Sequence, residues 1–197
     1  MTSILKADNI QDADGNNIIN ESSNTITIGA SGDTTNVIGT LNKDGVAVTN
    51  TPAFQAYLNA NQGSISADTF TKVAFDTEEF DSDGNFDTST SRFTPTTAGK
   101  YLVTVNLYLD GGGQGNLRIY APVIQKNGST YAQAGDDKAQ GYQNNGTETL
   151  SVIVDMNGSS DYLEVFMYHF TQDNSSSNVG GANTEQAMFT AHKLIGV

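Results

Sequence analysis

Apolar and polar residues alternate along much of this chain, in short blocks that are separated by turn residues. The clearest block runs from Tyr101 to Leu109. Alternation with a period of two is typical of a β-strand with one buried and one solvated face. One face of this block carries Tyr101, Val103, Val105, Leu107 and Leu109, and the other carries Leu102, Thr104, Asn106 and Tyr108.

The turn residues between the blocks are mostly Asx-Gly steps, which tolerate positive φ and suit tight hairpins. They are Asp14-Gly15, Asp44-Gly45, Asp83-Gly84, Asp110-Gly111, Asn127-Gly128, Asn145-Gly146 and Asn157-Gly158. The predicted strands are Ala53–Leu58, Lys72–Asp76, Ser91–Phe93, Gly99–Leu109, Leu117–Lys126, Thr130–Ala134, Glu148–Asp155, Asp161–Phe170 and Gln186–Ile195. This succession of short strands predicts an all-β sandwich or jelly roll.

The first fifty residues are thinner in apolar side chains. Thr25–Gly29 and Thr35–Gly39 echo each other, with isoleucine or valine followed by glycine. Such a segment cannot bury enough surface alone to offset its ordering entropy. It is either a disordered tail or a set of strands that become ordered against copies of themselves or against a partner. We place an N-terminal segment at 1–51 and a head domain at 52–197.

The composition excludes several classes of function. The formal net charge is −13, and nucleic-acid binding depends on basic clusters that this chain lacks. The apolar runs are strand-sized, so membrane insertion is not expected, and the N-terminus has no signal-peptide pattern. Cysteine is absent, so disulfides and thiolate metal sites are not available. Oligomerisation is a candidate source of stability.

One long gapped pattern lies at the start of the predicted head. Aromatic and turn residues follow at set intervals, as Phe75, Asp81, Phe86, Phe93, Gly99 and Tyr101. This spacing resembles the signature of the C1q domain family, with departures at Val103 and Val105, where the family prefers aromatic residues. Phe75, Phe86 and Phe93 are predicted core anchors from successive strands, and Gly99 is predicted to permit the tight entry into the long strand that Tyr101 begins.

The resemblance covers roughly Pro52 to Val197 and implies a C1q/TNF-like jelly-roll sandwich. Domains of the C1q and TNF families form compact threefold trimers, so the resemblance also implies a homotrimer with its N-terminal segments emerging side by side. The collagen stalk of the animal C1q family is not expected here, because the chain has no Gly-X-Y repeat.

The N-terminal segment resembles a different group of proteins. Ser3–Asp12, Gly15–Glu21 and Thr25–Asp33 look like the openings of fibre and other structural proteins of marine tailed phages. This resemblance implies attachment to other virion proteins and a virion location, with assembly in the host cytoplasm. The candidate attachment residues are Ile4, Leu5, Ile10, Ile18, Ile19, Ile26 and Ile28.

No catalytic constellation is found, so the protein is not expected to be an enzyme. His169 and His192 lie inside predicted strands without the spacing of a triad or a zinc site. Asp81–Asp87 has the look of a calcium loop but lacks the EF-hand ligands, and Asp136-Asp137 is an equally weak candidate. No cofactor or metal is predicted apart from calcium, which some C1q-like trimers hold and for which no ligands can be assigned.

Two polar loops are the candidate recognition sites, since such loops on a rigid sandwich commonly carry binding residues. They are Gly111–Gly115 and Asn174–Gly181, with Gln114, Asn174 and Asn178 as receptor-facing candidates; featureless linkers are the alternative. The leading hypothesis is a trimeric phage virion protein, a tail fibre, knob or head appendage, that adheres to a host surface glycan or receptor by avidity. The alternatives are a capsid decoration or cement trimer and a free lectin-like module.

Overall fold

The computed structural model describes residues 9–11, 13, 15, 17–22, 25–28, 32–39, 41–43, 46–112, 116–137, 142–180 and 187–195. Contacts between residues divide the chain into two compact units, Met1–Val48 and Thr49–Val197. All regular elements of the described residues are strands. No helix in this part of the chain is long and apolar enough to cross a membrane.

The N-terminal unit contains a three-stranded antiparallel sheet and a short hairpin. Its strands are β1 (Asn9–Gln11), β2 (Asn17–Ser22), β3 (Thr25–Ile28), β4 (Asn42–Lys43) and β5 (Val46–Ala47). In the sheet, Ile10 pairs with Ile19 and Ile19 pairs with Ile28. Residues directly opposite each other point to the same face, so these isoleucines form one row across the sheet.

The second unit, the head, is a sandwich of two antiparallel sheets. Its strands are β6 (Ala53–Tyr57), β7 (Gln62–Ile65), β8 (Thr71–Lys72), β9 (Thr77–Asp81), β10 (Phe86–Asp87), β11 (Arg92–Phe93), β12 (Gly99–Asp110), β13 (Leu117–Lys126), β14 (Ser129–Gln133), β15 (Asp136–Asp137), β16 (Asn145–Met156), β17 (Leu163–Thr171), β18 (Ser177–Val179) and β19 (Met188–Lys193). Sheet I contains β6, β7, β9, β12, β16, β18 and β19, and sheet II contains β8, β10, β11, β13, β14, β15 and β17.

The core lies between the two sheets and is dominated by aromatic rings. Phe54 of β6 stacks on Phe86 at 4.8 Å and on Phe93 at 4.5 Å between ring centroids, and it meets Phe189 edge-on at 4.9 Å. Phe54 and Phe189 belong to sheet I, whereas Phe86 and Phe93 belong to sheet II. Aromatic pairs of this geometry are more favourable than their buried area alone suggests, so this cluster holds the sheets together.

The predicted alternation of Tyr101 to Leu109 is confirmed. All of the odd-numbered residues from Tyr101 to Leu109 are fully buried, and β12 pairs along its whole length with β16, from Gly99 opposite Met156 to Asp110 opposite Asn145. The predicted all-β class is confirmed with it.

Some predicted elements were wrong. The strand at Lys72–Asp76 is limited to Thr71–Lys72; Val73 instead donates a backbone hydrogen bond to Val165, and Asp76 to Tyr57. The strands β7, β9, β10, β15 and β18 of the head were not predicted. The step Asn145-Gly146 is not a turn but part of β16. Of the predicted strand Gln186–Ile195, Met188–Lys193 forms β19, and Gln186 lies outside the described residues.

Candidate functional site

The signature residues of the head line its core and its turns. Phe75, Phe93 and Tyr101 are fully buried and Phe86 is nearly so. Gly99 has φ of +148°, a conformation that favours glycine. The Tyr101 hydroxyl donates to the Thr97 carbonyl at 2.7 Å. Burial, with a smaller contribution from the charge of Asp83, raises the pKa of Tyr101 to about 12.

The acidic segment Asp81–Asp87 is a turn closed by its own side chains. The Asp81 carboxylate accepts hydrogen bonds from the backbone N–H of Phe86 at 2.7 Å and of Asp83 at 3.2 Å. Hydrogen bonds from Ser89 and Thr90 lower the pKa of Asp87. Among the described residues there is no group of three or more His, Asp or Glu side chains that could hold a metal. Calcium binding stays a prediction.

Two connections meet at one end of the sandwich. The Asn116 amide donates to a carboxylate oxygen of Asp173 and, at 3.4 Å, to the Ser175 hydroxyl. The backbone N–H of Gln172 donates to the Asn116 carbonyl at 2.9 Å. The segment between β12 and β13 is therefore tied to the segment between β17 and β18. We call this end, defined by Asn116, Asp173 and Ser175, the loop end.

The predicted receptor-facing residues differ in their placement. Asn174 is exposed at the loop end, in a turn closed by its own N–H and the Thr171 carbonyl at 3.2 Å. Asn178 belongs to β18, opposite Asp110, rather than to a loop. The prediction of a polar loop at Asn174–Gly181 is wrong for Ser177–Val179. Ser177 and Val179 are buried, which fixes this segment against sheet I. Gln114 lies outside the described residues.

The outer face of sheet II carries aromatic side chains that sequence analysis missed. Phe166, Tyr168 and Phe170 are half-buried, and they alternate along β17 with buried Val165, Met167 and His169. Phe70 lies against Tyr168, with ring centroids 5.1 Å apart, and is 46% exposed. We call Phe70, Phe166, Tyr168 and Phe170 the aromatic strip. Both faces of the run Leu163–Thr171 carry apolar residues, so hydrophobic alternation gave no signal for the strip.

Beside the aromatic strip lies a three-membered ion cluster. The Glu164 carboxylate accepts from Lys72 at 2.6 Å and from Arg92 at 3.0 Å, and the Arg92 guanidinium stacks 3.8 Å from the Tyr162 ring centroid. Burial alone would raise the pKa of Glu164, but the hydrogen bonds and charges of Lys72 and Arg92 outweigh it and lower the pKa. This carboxylate therefore stays ionised and links β8 and β11 to β17.

The outer face of sheet I is different, since the rows that cross β12 between the Lys100–Asp155 ion pair and Asp110 carry uncharged side chains. We call it the uncharged face; its members are Gln55, Tyr57, Phe80, Leu102, Thr104, Asn106, Tyr108, Thr147, Thr149, Ser151, Ile153, Met188, Thr190 and His192. Leu102 lies between Ile153 and His192 in one row, and Leu102, Ile153 and Phe80 are 40%, 52% and 42% exposed. Thr104 and Ser151 bond each other at 2.9 Å in the next row.

The two histidines lie in separate environments. His192 is on the uncharged face, with a ring nitrogen 2.9 Å from the Thr190 hydroxyl. His169 points into the core and is fully buried, and neither of its ring nitrogens makes a hydrogen bond within the described part of the chain. Burial lowers the pKa of His169, with the backbone of Ser175 acting in the opposite direction.

The candidate attachment residues are partly described. Ile10, Ile19, Ile26 and Ile28 are all exposed, at 38%, 38%, 67% and 57%. Ile18 lies in β2, whereas Ile4 and Leu5 fall outside the described residues. The sheet of the N-terminal unit thus presents apolar side chains to solvent.

Solved structures that are similar to this chain include the following three. The Eiger TNF of S. frugiperda has a TM-score of 0.52 at 14% identity, covering 76% of this chain and 96% of that one. Murine APRIL has a TM-score of 0.53 at 8% identity, covering 72% and 98%. The globular domain of zebrafish complement 1qA protein has a TM-score of 0.48 at 14% identity, covering 72% and 95%. No family model matches the chain, and no curated protein sequence does.

At these identities the likeness concerns the fold. The head is a C1q/TNF-like jelly roll, as predicted from the spacing that begins at Phe75.

Proposed function

We propose that this chain is a homotrimeric, non-enzymatic structural protein of a phage virion, a tail fibre, knob or head appendage, whose head adheres to the host surface. The observation that carries the proposal is the uncharged face of sheet I. An all-β head with such a face is suited to assemble with copies of itself and to present its other surfaces outward.

The uncharged face stands out against the rest of the molecule. The chain has a formal charge of −13, yet this face has rows of hydroxyl, amide and apolar side chains. Depletion of charge together with exposed apolar groups is typical of the centre of a protein–protein interface. Covering Leu102, Ile153 and Phe80 would remove large apolar side chains from water, which favours association.

A ring of copies is the arrangement that fits a single such face. A face that contacts a different surface of the next copy closes into a ring when the rotation permits. Three heads in one ring present three copies of each outer surface, so weak sites act together by avidity. The virion assignment rests on the resemblance of Ser3–Asp33 to phage structural proteins. The exposed isoleucines of the N-terminal unit offer the apolar contacts for docking on the particle.

Mass in solution tests the trimer. We expect the full-length chain to have three times the monomer mass by light scattering, and Leu102→Glu to shift it to monomer because a charge cannot be buried there without a partner. Phe70→Glu is the matched control, since Phe70 is similarly exposed but lies on sheet II. A wild-type chain that stays monomeric at high concentration would sink the proposal.

Imaging of particles tests the virion role. We expect antibody labelling to locate the protein at the tail or at a head appendage, and a chain lacking residues 1–48 to remain a soluble trimer that no longer incorporates. A position throughout the capsid lattice would indicate decoration instead. Absence from particles would indicate a free lectin-like module.

A further inference from the structure

We propose that Phe70, Tyr168 and Phe170, with Asp68 and Arg118 beside them, form a binding site for a neutral oligosaccharide. The inference deepens the proposed function, because it names a ligand class and a site for host adhesion. The site was not among the loops predicted from the sequence. It lies on the outer face of sheet II, and its last aromatic residue, Phe170, adjoins the loop end.

The aromatic groups form a platform rather than a pocket. Phe70 is 46% exposed and its ring is tilted by 37° against that of Tyr168. Tyr168 and Phe170 alternate on β17, which separates their Cα atoms by about 7 Å. Two successive sugar rings could therefore stack on the strand, one on Tyr168 and the next on Phe170. Aromatic faces carry a negative quadrupole, which attracts the polarised C–H groups on the flat face of a sugar ring.

Fixed polar groups border the platform. Asp68 accepts a hydrogen bond from the Tyr168 hydroxyl at 2.8 Å, and its backbone N–H donates to the His169 carbonyl at 2.8 Å. The bond to Asp68 raises the pKa of Tyr168, so the phenol keeps its proton. A carboxylate has about four lone-pair sites, and Asp68 can thus accept from sugar hydroxyls as well.

Arg118 supplies donors at the other end of the platform. Its guanidinium lies 5.8 Å from the Phe170 ring centroid and bonds both carboxylate oxygens of Asp137, at 3.0 and 3.4 Å. A guanidinium has five N–H donors in a planar fork, so the ion pair leaves further donors. The polar groups are thus placed where they could meet the hydroxyl edge of a sugar stacked on Phe170.

The charges at the site favour a neutral ligand. Arg118 is paired with Asp137 and Arg92 with Glu164, so the charge of each of these two arginines is already balanced by a carboxylate. The formal charge of −13 repels acidic polymers at long range. A protein interface of comparable area would be more apolar at its centre, whereas here aromatic rings and ionised side chains alternate over short distances.

Saturation-transfer NMR with neutral oligosaccharides tests the site. The probes are hexasaccharides of glucose, mannose, galactose and N-acetylglucosamine, each added to the full-length protein. We expect irradiation of the aromatic protons to transfer saturation to the ring C–H protons of at least one probe. Phe70→Ala should reduce that transfer about tenfold, the loss of one main stacking group. Tyr131→Ala is the control, since Tyr131 is also 46% exposed but lies outside the strip, and it should retain transfer.

The outcomes are separable from those of the proposed function. No transfer to any probe, or transfer that Phe70→Ala leaves unchanged, would overturn the glycan site even for a trimer located on the virion. Transfer that depends on Phe70 would support the site even if the chain proved monomeric or absent from particles. A sulfated and a sialylated hexasaccharide are added as further probes. Transfer to these alone would also overturn the site, because it would show that the ligand is an anion.

Discussion

Gly146 occupies a position where the core has room for a hydrogen atom but not for a side chain. It lies inside β16, where a β-carbon would stand 2.3 Å from Cζ of the Tyr120 ring. Tyr120 is nearly fully buried and belongs to the opposite sheet. Its ring therefore occupies the space that any larger residue at position 146 would need.

We expect Gly146→Ala to destabilise the head by about 2 kcal/mol or more, the cost of overpacking a core site. The sign is diagnostic, since alanine in a strand is otherwise more favourable than glycine. Urea unfolding at fixed protein concentration measures it. Asn145→Ala, at the exposed neighbouring position, should stay within about 0.5 kcal/mol. Equal stability of wild type and Gly146→Ala would refute the close contact.

His169 makes stability depend on pH. Its pKa in the folded head lies below the ordinary value of 6.5, so the unfolded chain binds the proton more readily. Stability is then fully present above the unfolded pKa and is lost as pH falls through it towards the folded pKa. We expect urea midpoints to decline as the pH falls through 6.5, the ordinary pKa of histidine.

Two variants separate His169 from other titrating groups. His169→Phe removes the imidazole and should flatten the decline in this range. His192→Gln should keep it, because His169 is still present. If the decline survives in His169→Phe, another group causes it.

Residues whose role depends on their size or on the local backbone could be predicted from the sequence. Large aromatics such as Phe75 and Phe93 and the glycine at position 99 fall at positions that a spacing pattern can predict. Asn145-Gly146 was assigned to a turn because Asx-Gly is a local signal, whereas the need for glycine comes from Tyr120 in another strand. The burial of the His169 ring likewise depends on tertiary packing and could not be predicted from the local sequence.

Among the strands, β17 organises sheet II. It pairs with β13 along most of its length and with the two-residue strands β8 and β11 on its other edge. Such short strands have few ladder bonds of their own. Glu164 compensates, because its carboxylate holds Lys72 of β8 and Arg92 of β11 at once.

We expect Glu164→Gln to cost about 2 kcal/mol, as hydrogen bonds to a charged, largely buried acceptor are lost. Hydrogen exchange should show faster opening at Phe93 and Lys72 than at Val105. Asp155→Asn is the matched control: the Asp155–Lys100 pair is 3.4 Å long and exposed on both sides, so its loss should cost less than about 0.5 kcal/mol. Equal effects of the two variants would mean that the cluster is an ordinary surface pair.

The predicted strands and the strands that were not predicted differ in the interactions that stabilise them. β12 and β16 bury one face, and the burial appears as alternation. β9, with the sequence Thr77–Asp81, has no buried residue and is a strand because β6 offers it an edge. A strand that pairs at a sheet edge is held mainly by backbone hydrogen bonds and needs no buried side chains. The pattern of hydrophobic residues therefore could not predict β9.

For the whole molecule, charge opposes assembly. Each copy carries a formal charge of −13, and like charges repel over a distance that salt shortens. We expect the proposed trimer to associate more tightly in about 0.5 M than in about 0.05 M NaCl, measured by sedimentation equilibrium. Weaker association at high salt would mean that ion pairs between copies, rather than the uncharged face, hold the trimer.

The proposed oligosaccharide site was not among the sites predicted from the sequence. The gapped pattern that begins at Phe75 contains the buried aromatic residues of the core, and it therefore predicts the fold. Recognition was instead predicted in polar loops, of which the one that contains Asn174 lies at the loop end. The aromatic strip was missed because its residues looked like core: on a strand the inner and outer faces are equally apolar here, and only the sheet pairing tells them apart.

The position of β6 has a mechanical consequence. In sheet I, Ala53 of β6 lies opposite His192 of β19, which in turn lies opposite Leu102 of β12. The loop end lies at Asp110, about 27 Å further along β12. Tension between the two flanks at Ala53 and His192 would peel one hydrogen-bonded pair after another. Tension between Ala53 and the loop end runs along the strands and loads many pairs at once. A head tethered through Ala53 and gripped at Phe170 is therefore pulled in its strong direction.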